Sequence, residues 1–401
     1  MKTIDKIKGI SKDLIYSVLG IAAMNGVIQL ALYPYLQHEL GAEAWGHILS
    51  LLAIISIMGT TFGTGANYSR MLASTKGRES NGDYMLFLAY VGVLAAVVTC
   101  VGMHWMHISS IKMYLGYYLL MIFTVLRYYA DVEFRLKIDY KRYCVFYLLI
   151  ALGYLGGMAL YPLWKSWILV MLLGEALAVL YVKCRGTVLS SPWKKSDYYV
   201  QNMQSAIQLA GTQLLANAVF NSDRLLLEAF CGGAAVTVFY VATLIGKVIS
   251  LISTPLNGVL IGYLSRYRGR IKKRLFVKLS ACGILTGMLL TVVCTGASYI
   301  FVRLMYRDIF DTVREYLWIA NAGQVFYFIS GTIMVVLMRF ADEKYQLYVN
   351  VLYVAVFFIL AVPLTKGWSI WGMALAILVS NIFRIISIAF VGEKSGRGRE
   401  L

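Results

Sequence analysis

Residues 242–256 read ATLIGKVISLISTPL, an apolar stretch with a lysine at its centre. Thirteen of these fifteen residues suit the interior of a membrane or of a protein core, whereas Pro255 would kink a helix. Lys247 carries a charge that such an interior normally excludes. The stretch belongs to a longer apolar run over 234–264, which is long enough to cross a bilayer as a helix.

Runs of this kind recur along the whole chain. Of its 401 residues 60% are hydrophobic and 14% are charged, against about 45–50% and about 25% in an average soluble protein. The runs are continuous over about 20 residues, which is the length of a transmembrane helix. The sequence therefore predicts an all-α polytopic membrane protein. Closed membrane barrels instead use alternating segments of about 10 residues.

We predict twelve spans, which leave only short polar segments between them. They cover 14–36, 45–69, 84–103, 113–132, 144–163, 166–183, 203–222, 234–264, 276–302, 313–337, 345–365 and 368–392.

The basic residues are distributed unequally between the two sets of connecting segments. One set, which includes both termini, carries 27 Lys and Arg, and the opposite set carries 7. The excess of positive charge predicts that the first set, with both termini, is cytoplasmic. The net charge of +17 therefore indicates loops beside anionic lipid rather than binding to nucleic acid. The densest segment, SRYRGRIKKRLFVK at 265–278, is interpreted as one such loop.

A polar linker divides the spans into six and six. It is KCRGTVLSSPWKKSD at 183–197, and we predict an N-terminal six-helix lobe over 1–190, a cytoplasmic linker over 183–199 and a C-terminal six-helix lobe over 200–401.

The two predicted lobes begin alike. Gly41 in LGAEAWGHILSLLAI and Gly232 in CGGAAVTVFYVATLI each lie just before the next span. Paired helical repeats of this kind are typical of secondary transporters that open a central site to either side of the membrane.

Two stretches connect the chain to a known family: PYLQHELGAEAWGHILSLLAIISIMGTTFGTG at 34–65 and NSDRLLLEAFCGGAAVTVFY at 221–240. With the basic loop at the end of the eighth span, they resemble Wzx-type flippases of polysaccharide (O-antigen or capsule) repeat units. These belong to the multidrug/oligosaccharidyl-lipid/polysaccharide exporter superfamily. The resemblance implies two six-helix lobes around a central cavity in the bacterial cytoplasmic (inner) membrane.

The same resemblance implies a substrate and partners. The substrate would be an undecaprenyl-pyrophosphate-linked oligosaccharide, moved from the cytoplasmic to the outer leaflet. Membrane lipid, a glycan polymerase and a chain-length regulator would be the partners, with no nucleic acid.

Lys247 lies on a polar stripe of the eighth span. Tyr240, Thr243 and Ser250 fall within about an 80° arc with it on a helix. The lysine is roughly 20 Å from either end of the span, too far for its side chain to reach water. A cation at such a depth normally faces a wet cavity or an anion. We therefore expect Lys247 to bind the pyrophosphate; the alternative is a structural ion pair with a carboxylate on another span, such as Glu175.

Three further charged residues of the spans are candidates for the site. Glu175 is a candidate proton carrier for coupling, with a structural role as the alternative, because a buried carboxyl group is more easily protonated. Arg127 is either a substrate ligand or the partner of Asp131 at i+4. Arg384 either lines the cavity or extends to the cytoplasmic interface.

Neutral polar residues complete the predicted site. Amides suit the hydroxyl groups of a glycan, although they also bind neighbouring helices together. The candidates in the first, seventh and tenth spans are Asn25, Gln29, Gln208, Asn321 and Gln324. Asp223 and Arg224, at the outer end of the seventh span, form either a gate or an interfacial pair.

Other functions agree less well with this pattern of residues than a flippase does. A drug or metabolite antiporter of the same superfamily would need an acidic cavity for organic cations, whereas the central charges here are mostly positive. A membrane glycan polymerase or ligase would be expected to carry a large external loop or an intramembrane histidine. No nucleophile–base pair, phosphate-binding loop or metal-ligand cluster is evident, so neither catalysis nor a cofactor is expected. A scaffold within a glycan-assembly complex is a third alternative.

Overall fold

The computed structural model describes residues 15–190, 193–248, 274–340 and 343–395. Within these ranges the chain is helical and contains no β-strand. Eight of the helices are long and apolar enough to cross a membrane. Helices α3 and α10 expose apolar side chains such as Val93, Val101 and Leu289, as expected of surfaces that face lipid rather than water. The prediction of an all-α multi-pass membrane protein is confirmed.

The helices follow one another with short connections. They are α1 (Ile15–Leu40), α2 (Ala42–Thr75), α3 (Asn81–Trp105), α4 (Ile111–Ala130), α5 (Val132–Leu136), α6 (Tyr140–Trp164), α7 (Trp167–Arg185), α8 (Tyr199–Cys231), α9 (Gly233–Val248), α10 (Arg274–Met305), α11 (Phe310–Val313), α12 (Leu317–Phe340) and α13 (Glu343–Ser395).

Each of the twelve predicted spans overlaps one of these helices. The last two lie in α13, which is interrupted by the non-helical backbone of Trp368 and Ser369. The eighth span corresponds to α9 up to Val248, and the rest of that span lies outside the described residues. Of the loop predicted at 265–278, residues 265–273 also lie outside them, and residues 274–278 are not a loop but the start of α10. Helices α1 and α2 each contain a short π-helical segment, at Val27–Leu32 and Gly59–Gly63.

The described chain forms two compact units. Unit 1 takes α1 up to Glu39 and continues from Leu51 to Ser222. Unit 2 takes Leu40–Ser50 and the described residues from Asp223 onward.

Close helix packing in unit 1 depends on small residues. On α6 a Cβ at Gly153 would lie 2.5 Å from the Cα of Gly174 on α7, and one at Gly157 would lie 2.7 Å from the carbonyl oxygen of Val170. Small residues let transmembrane backbones approach closely, so that dispersion contacts hold the helices together where no hydrophobic driving force acts between them.

Unit 2 has an apolar core that joins α10, α12 and α13. Phe276, Phe326 and Ile329 are buried there with Ile385 and Ile388. Gly41 and Gly232, which the sequence places at equivalent points, have φ angles of +80° and +82°. A side chain is disfavoured in this left-handed conformation, and both glycines separate consecutive helices.

The linker between α7 and α8 is attached to unit 1 by two buried carboxylates. Glu133 accepts hydrogen bonds from the backbone N–H groups of Thr187 and Val188, at 2.8 and 2.9 Å. Asp83 accepts from the backbone N–H of Ser196, at 2.8 Å. Burial alone would raise the pKa of Glu133, but the hydrogen bonds from Lys137 and from the linker lower it below its ordinary value.

Candidate functional site

Lys247 forms a buried ion pair within unit 2. Its Nζ lies 2.8 Å from Oδ2 of Asp223, and the two side chains are 12% and 4% exposed. The lysine is on α9 and the carboxylate is on α8. A carboxylate on another span was the structural alternative, and the structure supplies it from Asp223 rather than from Glu175.

A second cation lies beside this pair. The guanidinium carbon of Arg224 is 4.8 Å from the ring centroid of Tyr240, and Nζ of Lys247 is 5.7 Å from the same centroid. The face of an aromatic ring attracts cations, so Tyr240 holds both charges near one carboxylate. Nε of Arg224 is buried and has no hydrogen-bond partner among the described residues. Of the three charged side chains described here, Lys247 and Arg224 are cationic and Asp223 is anionic.

The neighbouring polar residues of α9 and α12 lie mostly inside unit 2. Thr243 is fully buried and donates to the carbonyl oxygen of Tyr240, at 3.0 Å. Asn321, also fully buried, donates to the carbonyl oxygens of Ala242 and Leu317, at 3.2 and 2.7 Å. The bond from Asn321 to Ala242 joins α12 to α9, whereas the other two bonds lie within a single helix. Ser250 lies outside the described residues.

Gln324 also contacts α9. It is 6% exposed, and a Cβ added to Gly246 would lie 2.7 Å from the Cβ of Gln324. The two helices therefore approach closely one residue before Lys247, which restricts the positions that the lysine can adopt.

Unit 1 contains a different buried ion pair. Nε of Arg127 on α4 lies 2.6 Å from Oε2 of Glu175 on α7, and the two side chains are 8% and 5% exposed. Tyr154 on α6 donates to Oε1 of the same carboxylate, at 2.7 Å. The guanidinium also lies over the ring of Tyr128, at 4.1 Å. Both carboxylate oxygens are thus occupied, and the charges of the pair cancel.

The expected pairing of Arg127 with Asp131 along one helix is not what the structure shows. Asp131 accepts hydrogen bonds from Asn67, from Tyr147 at 3.1 Å and from Arg135 at 3.0 Å. It follows the end of α4, where the side chain points to groups of α2, α5 and α6. Residues four apart on a helix can meet, but here each has a better placed partner on another helix.

Arg384 is held on α13 by neutral groups. It donates from Nη2 to the amide oxygen of Asn350 at 2.9 Å and lies over the ring of Tyr353 at 4.9 Å. Its Nη1 is 3.4 Å from Oγ of Ser330. Nε has no partner among the described residues, and none of the ion pairs found there includes this arginine.

The predicted amides of unit 1 are less enclosed. Asn25 donates to the carbonyl oxygen of Ile21 in its own helix, at 2.9 Å. Gln29 lies in the π-helical segment of α1, and Gln208 on α8 is exposed. Of the predicted residues, the structure therefore brings together Lys247, Tyr240, Asp223 and Arg224 in one cluster.

One polar pair of unit 2 is not among the predicted site residues. Glu228 on α8 has a 6% exposed side chain, and its Oε1 lies 2.5 Å from Nδ1 of His47 on α2. Ser50 donates to Oε2, at 3.0 Å. Glu228 is separated from these two partners by 181 and 178 residues in the sequence. The one signal for this group in the sequence is the position of an acidic residue, Glu228, inside the apolar stretch 225–230.

The described residues contain no group of three His, Cys, Asp or Glu side chains that could hold a metal ion. Neither a comparison with protein-family models nor one with curated protein sequences gives a match.

Solved structures, in contrast, share the fold. The lipid II flippase MurJ in its inward closed conformation is similar with a TM-score of 0.71 at 13% identity, covering 96% of this chain and 87% of that chain. A mutant of the Vibrio cholerae MATE transporter VcmN gives 0.60 at 13% identity, covering 98% and 97%. An inward-facing multidrug resistance MATE family transporter of the MOP superfamily gives 0.57 at 11% identity, covering 95% and 94%. At these identities the likeness establishes a common fold.

Proposed function

We propose that the chain is a flippase that moves an anionic, lipid-linked oligosaccharide across the bacterial cytoplasmic membrane by alternating access, and that it catalyses no reaction. The proposed substrate is the undecaprenyl-pyrophosphate-linked repeat unit of a polysaccharide such as O-antigen or capsule. The fold shared with a lipid II flippase and with MATE transporters supports transport as the general function.

The pair of cations beside Tyr240 is the observation that favours an anionic substrate. A cation deep in a membrane is costly, and Tyr240 contacts two cations, of which Lys247 is paired with Asp223. A transporter of organic cations would be expected to show the opposite balance. A pyrophosphate would supply further negative charge.

In the proposed mechanism the pyrophosphate replaces Asp223 as the partner of Lys247. An ammonium group is a compact point charge with three donors and can change its partner without a fixed geometry. Arg224 would contribute its unoccupied Nε to the same anion. After release of the substrate Asp223 would again neutralise the lysine, so that the empty transporter does not leave a bare charge in the membrane.

The glycan would be bound by neutral groups. Gln208, Gln29 and Asn25 are proposed to contact its hydroxyl groups, with Ser250 as a further donor. The buried amides Asn321 and Gln324 and the hydroxyl of Thr243 support α9 from within unit 2.

Two further cations stay part of the proposal as substrate ligands. Arg384 has an unpaired Nε and offers a positive charge without a carboxylate partner among the described residues. Arg127 could act only after separating from Glu175.

Energy coupling is proposed to involve Glu175. Its carboxylate is bonded to Arg127 and Tyr154, so that both of its oxygens are occupied. Proton uptake would therefore require the pair to open, which links protonation to a movement of α4 against α7. Both termini are proposed to be cytoplasmic, as the distribution of Lys and Arg predicts. A glycan polymerase and a chain-length regulator are proposed as partners, as the resemblance implies.

Substitution of Lys247 tests the proposed anion site. Transport of a fluorescent undecaprenyl-pyrophosphate oligosaccharide would be measured in vesicles containing the purified protein. Lys247→Arg keeps a cation and should retain part of the activity, whereas Lys247→Ala and Lys247→Glu should abolish transport. Loss of one partner of a desolvated charge pair costs about 2–5 kcal/mol, which corresponds to substrate binding weakened by at least about thirtyfold in Lys247→Ala.

Two controls separate function from folding. Lys366→Ala removes an exposed cation that lies 4.9 Å from the ring of Phe230 and should leave binding unchanged. Lys247→Ala/Asp223→Asn removes both charges and should restore protein abundance without restoring transport. A Lys247→Ala protein that binds and moves the oligosaccharide at the wild-type rate would refute the anion site.

A further inference from the structure

Unit 1 contains a cavity of about 430 Å³ at the start of α3, on the face that is predicted to be cytoplasmic. Its walls are formed by Arg70, by residues 79–82 and by residues 194–196 of the linker. Three of the lining side chains are cationic, those of Arg70, Lys194 and Lys195, and Glu79 is the one anionic member. The cavity is therefore positively charged.

The first turn of α3 adds backbone donors to this cavity. The helix begins at Asn81, and Ser80 before it makes no capping hydrogen bond. The first N–H groups of a helix have no partner within it and carry a partial positive charge. Asp83 is the acidic residue of this turn, but it is 2% exposed and its oxygens are bonded to Ser196 and Asn202. Such a helix end favours a bound anion.

Arg70 gives independent evidence for an anion. It is 5% exposed, and its two terminal nitrogens donate to the hydroxyl of Tyr129 and to the amide oxygen of Asn81, both at 2.5 Å. Its Nε has no hydrogen-bond partner among the described residues. None of the ion pairs found there includes Arg70. A buried charge without a counter-charge is unfavourable, so the guanidinium would be stabilised by a negative group in the cavity that it lines.

Contacts with the start of α3 fix the position of the linker residues that line this cavity. A Cβ at Gly82 would lie 2.7 Å from the backbone nitrogen of Lys194, so that only a glycine allows the linker to approach the start of α3 so closely. Asn81 donates to the carbonyl oxygen of Thr187, at 2.8 Å, and Ser196 is bonded to Asp83. The exposed side chains of Lys194 and Lys195 are thus carried to the cavity on a fixed backbone.

We propose that this cavity binds a phosphate group, supplied either by the headgroup of an anionic phospholipid or by a free phosphate compound. The backbone N–H groups of the first turn of α3 and the ammonium groups of the two lysines would bind the phosphate oxygens. The buried guanidinium of Arg70 would stabilise the negative charge of the phosphate. The site lies in unit 1 and is independent of the substrate proposed for Lys247.

Hydrogen exchange of the full-length protein tests this site. The exchange of the N–H groups at 81–83 would be followed in a neutral detergent, with inorganic phosphate titrated against chloride at constant ionic strength. A second series would compare bilayer discs of phosphatidylcholine with discs that also contain phosphatidylglycerol. Phosphate or phosphatidylglycerol should slow exchange at these groups in the wild-type protein.

The variant Lys194→Gln/Lys195→Gln changes two exposed side chains and should bind the same probe roughly tenfold or more weakly, because each lysine near an anionic group contributes about 1 kcal/mol. The matched control is Lys183→Gln/Arg185→Gln, which removes two exposed cations from the same face outside the cavity and should respond as the wild type does. Gly82→Ala should displace Lys194 and weaken binding although every charge is kept.

The two series also identify the source of the phosphate. Protection by phosphatidylglycerol alone would support a lipid headgroup, and protection by inorganic phosphate would support a free phosphate compound. Absence of protection in both series, or an equal loss in both double variants, would overturn the proposal.

Discussion

The two buried ion pairs differ in the charges that lie beside them. In unit 1 Arg127 and Glu175 cancel each other, and Tyr154 occupies the second carboxylate oxygen. In unit 2 Lys247 is paired with Asp223, and a second cation, Arg224, lies over the same Tyr240 ring as the lysine; Nε of Arg224 has no hydrogen-bond partner among the described residues. The side chains of both pairs are almost equally removed from the surface.

This difference shows that burial by itself does not identify a functional charge. A matched pair in a low-dielectric interior is stable as it stands and costs much to open. A cluster in which two cations lie near one carboxylate is stabilised further by an additional counter-charge. The cluster of unit 2 is therefore the better candidate for a site that exchanges ligands, and the pair of unit 1 is the better candidate for an element that stabilises its helices.

The largest effect is expected when the matched pair is broken on one side. Arg127→Met would leave Glu175 as an uncompensated charge between α4 and α7, and removing one partner of a buried pair costs about 3–5 kcal/mol. We expect a strong loss of membrane abundance and of thermal stability in detergent, measured by size-exclusion chromatography after heating.

The double variant Arg127→Met/Glu175→Gln serves as the control, because it leaves no bare charge and should recover most of the stability. It also tests the proposed coupling, since its transport should no longer respond to an imposed pH gradient. Wild-type stability of Arg127→Met would contradict the structural role of the pair, and an unchanged gradient response of the double variant would remove Glu175 from coupling.

Substitution of Asp223 is expected to have a smaller effect, and a favourable one, on substrate binding. Asp223→Asn removes the group that competes with the substrate for Lys247. We expect the oligosaccharide to bind about tenfold more tightly, a gain of about 1.4 kcal/mol, while its release and the overall transport rate become slower. Binding can be measured by microscale thermophoresis and transport in vesicles. Weaker binding in Asp223→Asn would show that the carboxylate supports the lysine instead of competing with the substrate.

The smallest effect is expected for Glu133, whose carboxylate lies outside the candidate membrane spans. Its contribution to stability should depend on pH in the ordinary way, unlike that of the ion pairs inside the spans. The pKa of Glu133 is lowered below its ordinary value of 4.5, so its contribution to stability is present above that value and is lost as the pH falls through the folded-state pKa. Relative to Glu133→Gln, the wild-type protein should be more stable by about 1 kcal/mol at pH 7, because glutamine keeps an acceptor oxygen but loses the charge.

This advantage should shrink only below pH 4.5, and thermal unfolding of both proteins as a function of pH measures it. A difference that stays constant from pH 7 to the acid limit would mean that Glu133 does not attach the linker through its charge. Asp139→Asn, which changes a carboxylate that is 36% exposed and pairs with Arg142, provides the comparison for an exposed ion pair.

Much of the fold was predictable because the signals are local. Apolar runs of bilayer length locate the helices, and Gly41 and Gly232 mark equivalent breaks because a left-handed backbone favours glycine at each. The kink at Trp368 and Ser369 also lies at the predicted boundary between the last two spans. Such features depend on neighbouring residues in the sequence, so a linear reading finds them.

The charged site was predictable only in part. The central position of Lys247 in an apolar run is enough to indicate that it needs an anion, since the cost of a bare cation there does not depend on the details of the fold. Which anion it has cannot be read from the sequence. Asp223 is separated from it by 24 residues and was assigned to a gate, while Glu175 was considered as its partner.

By itself, then, the sequence determined the class of protein, the course of the helices and the presence of charges that require partners. Only the tertiary structure decided how those charges are matched: Arg127 with Glu175, Lys247 with Asp223, and Glu228 with His47. The physical reason is that hydropathy acts on each segment independently, whereas the strength of an ion pair in a low-dielectric interior depends on separations of a few ångström between helices that are far apart in the chain.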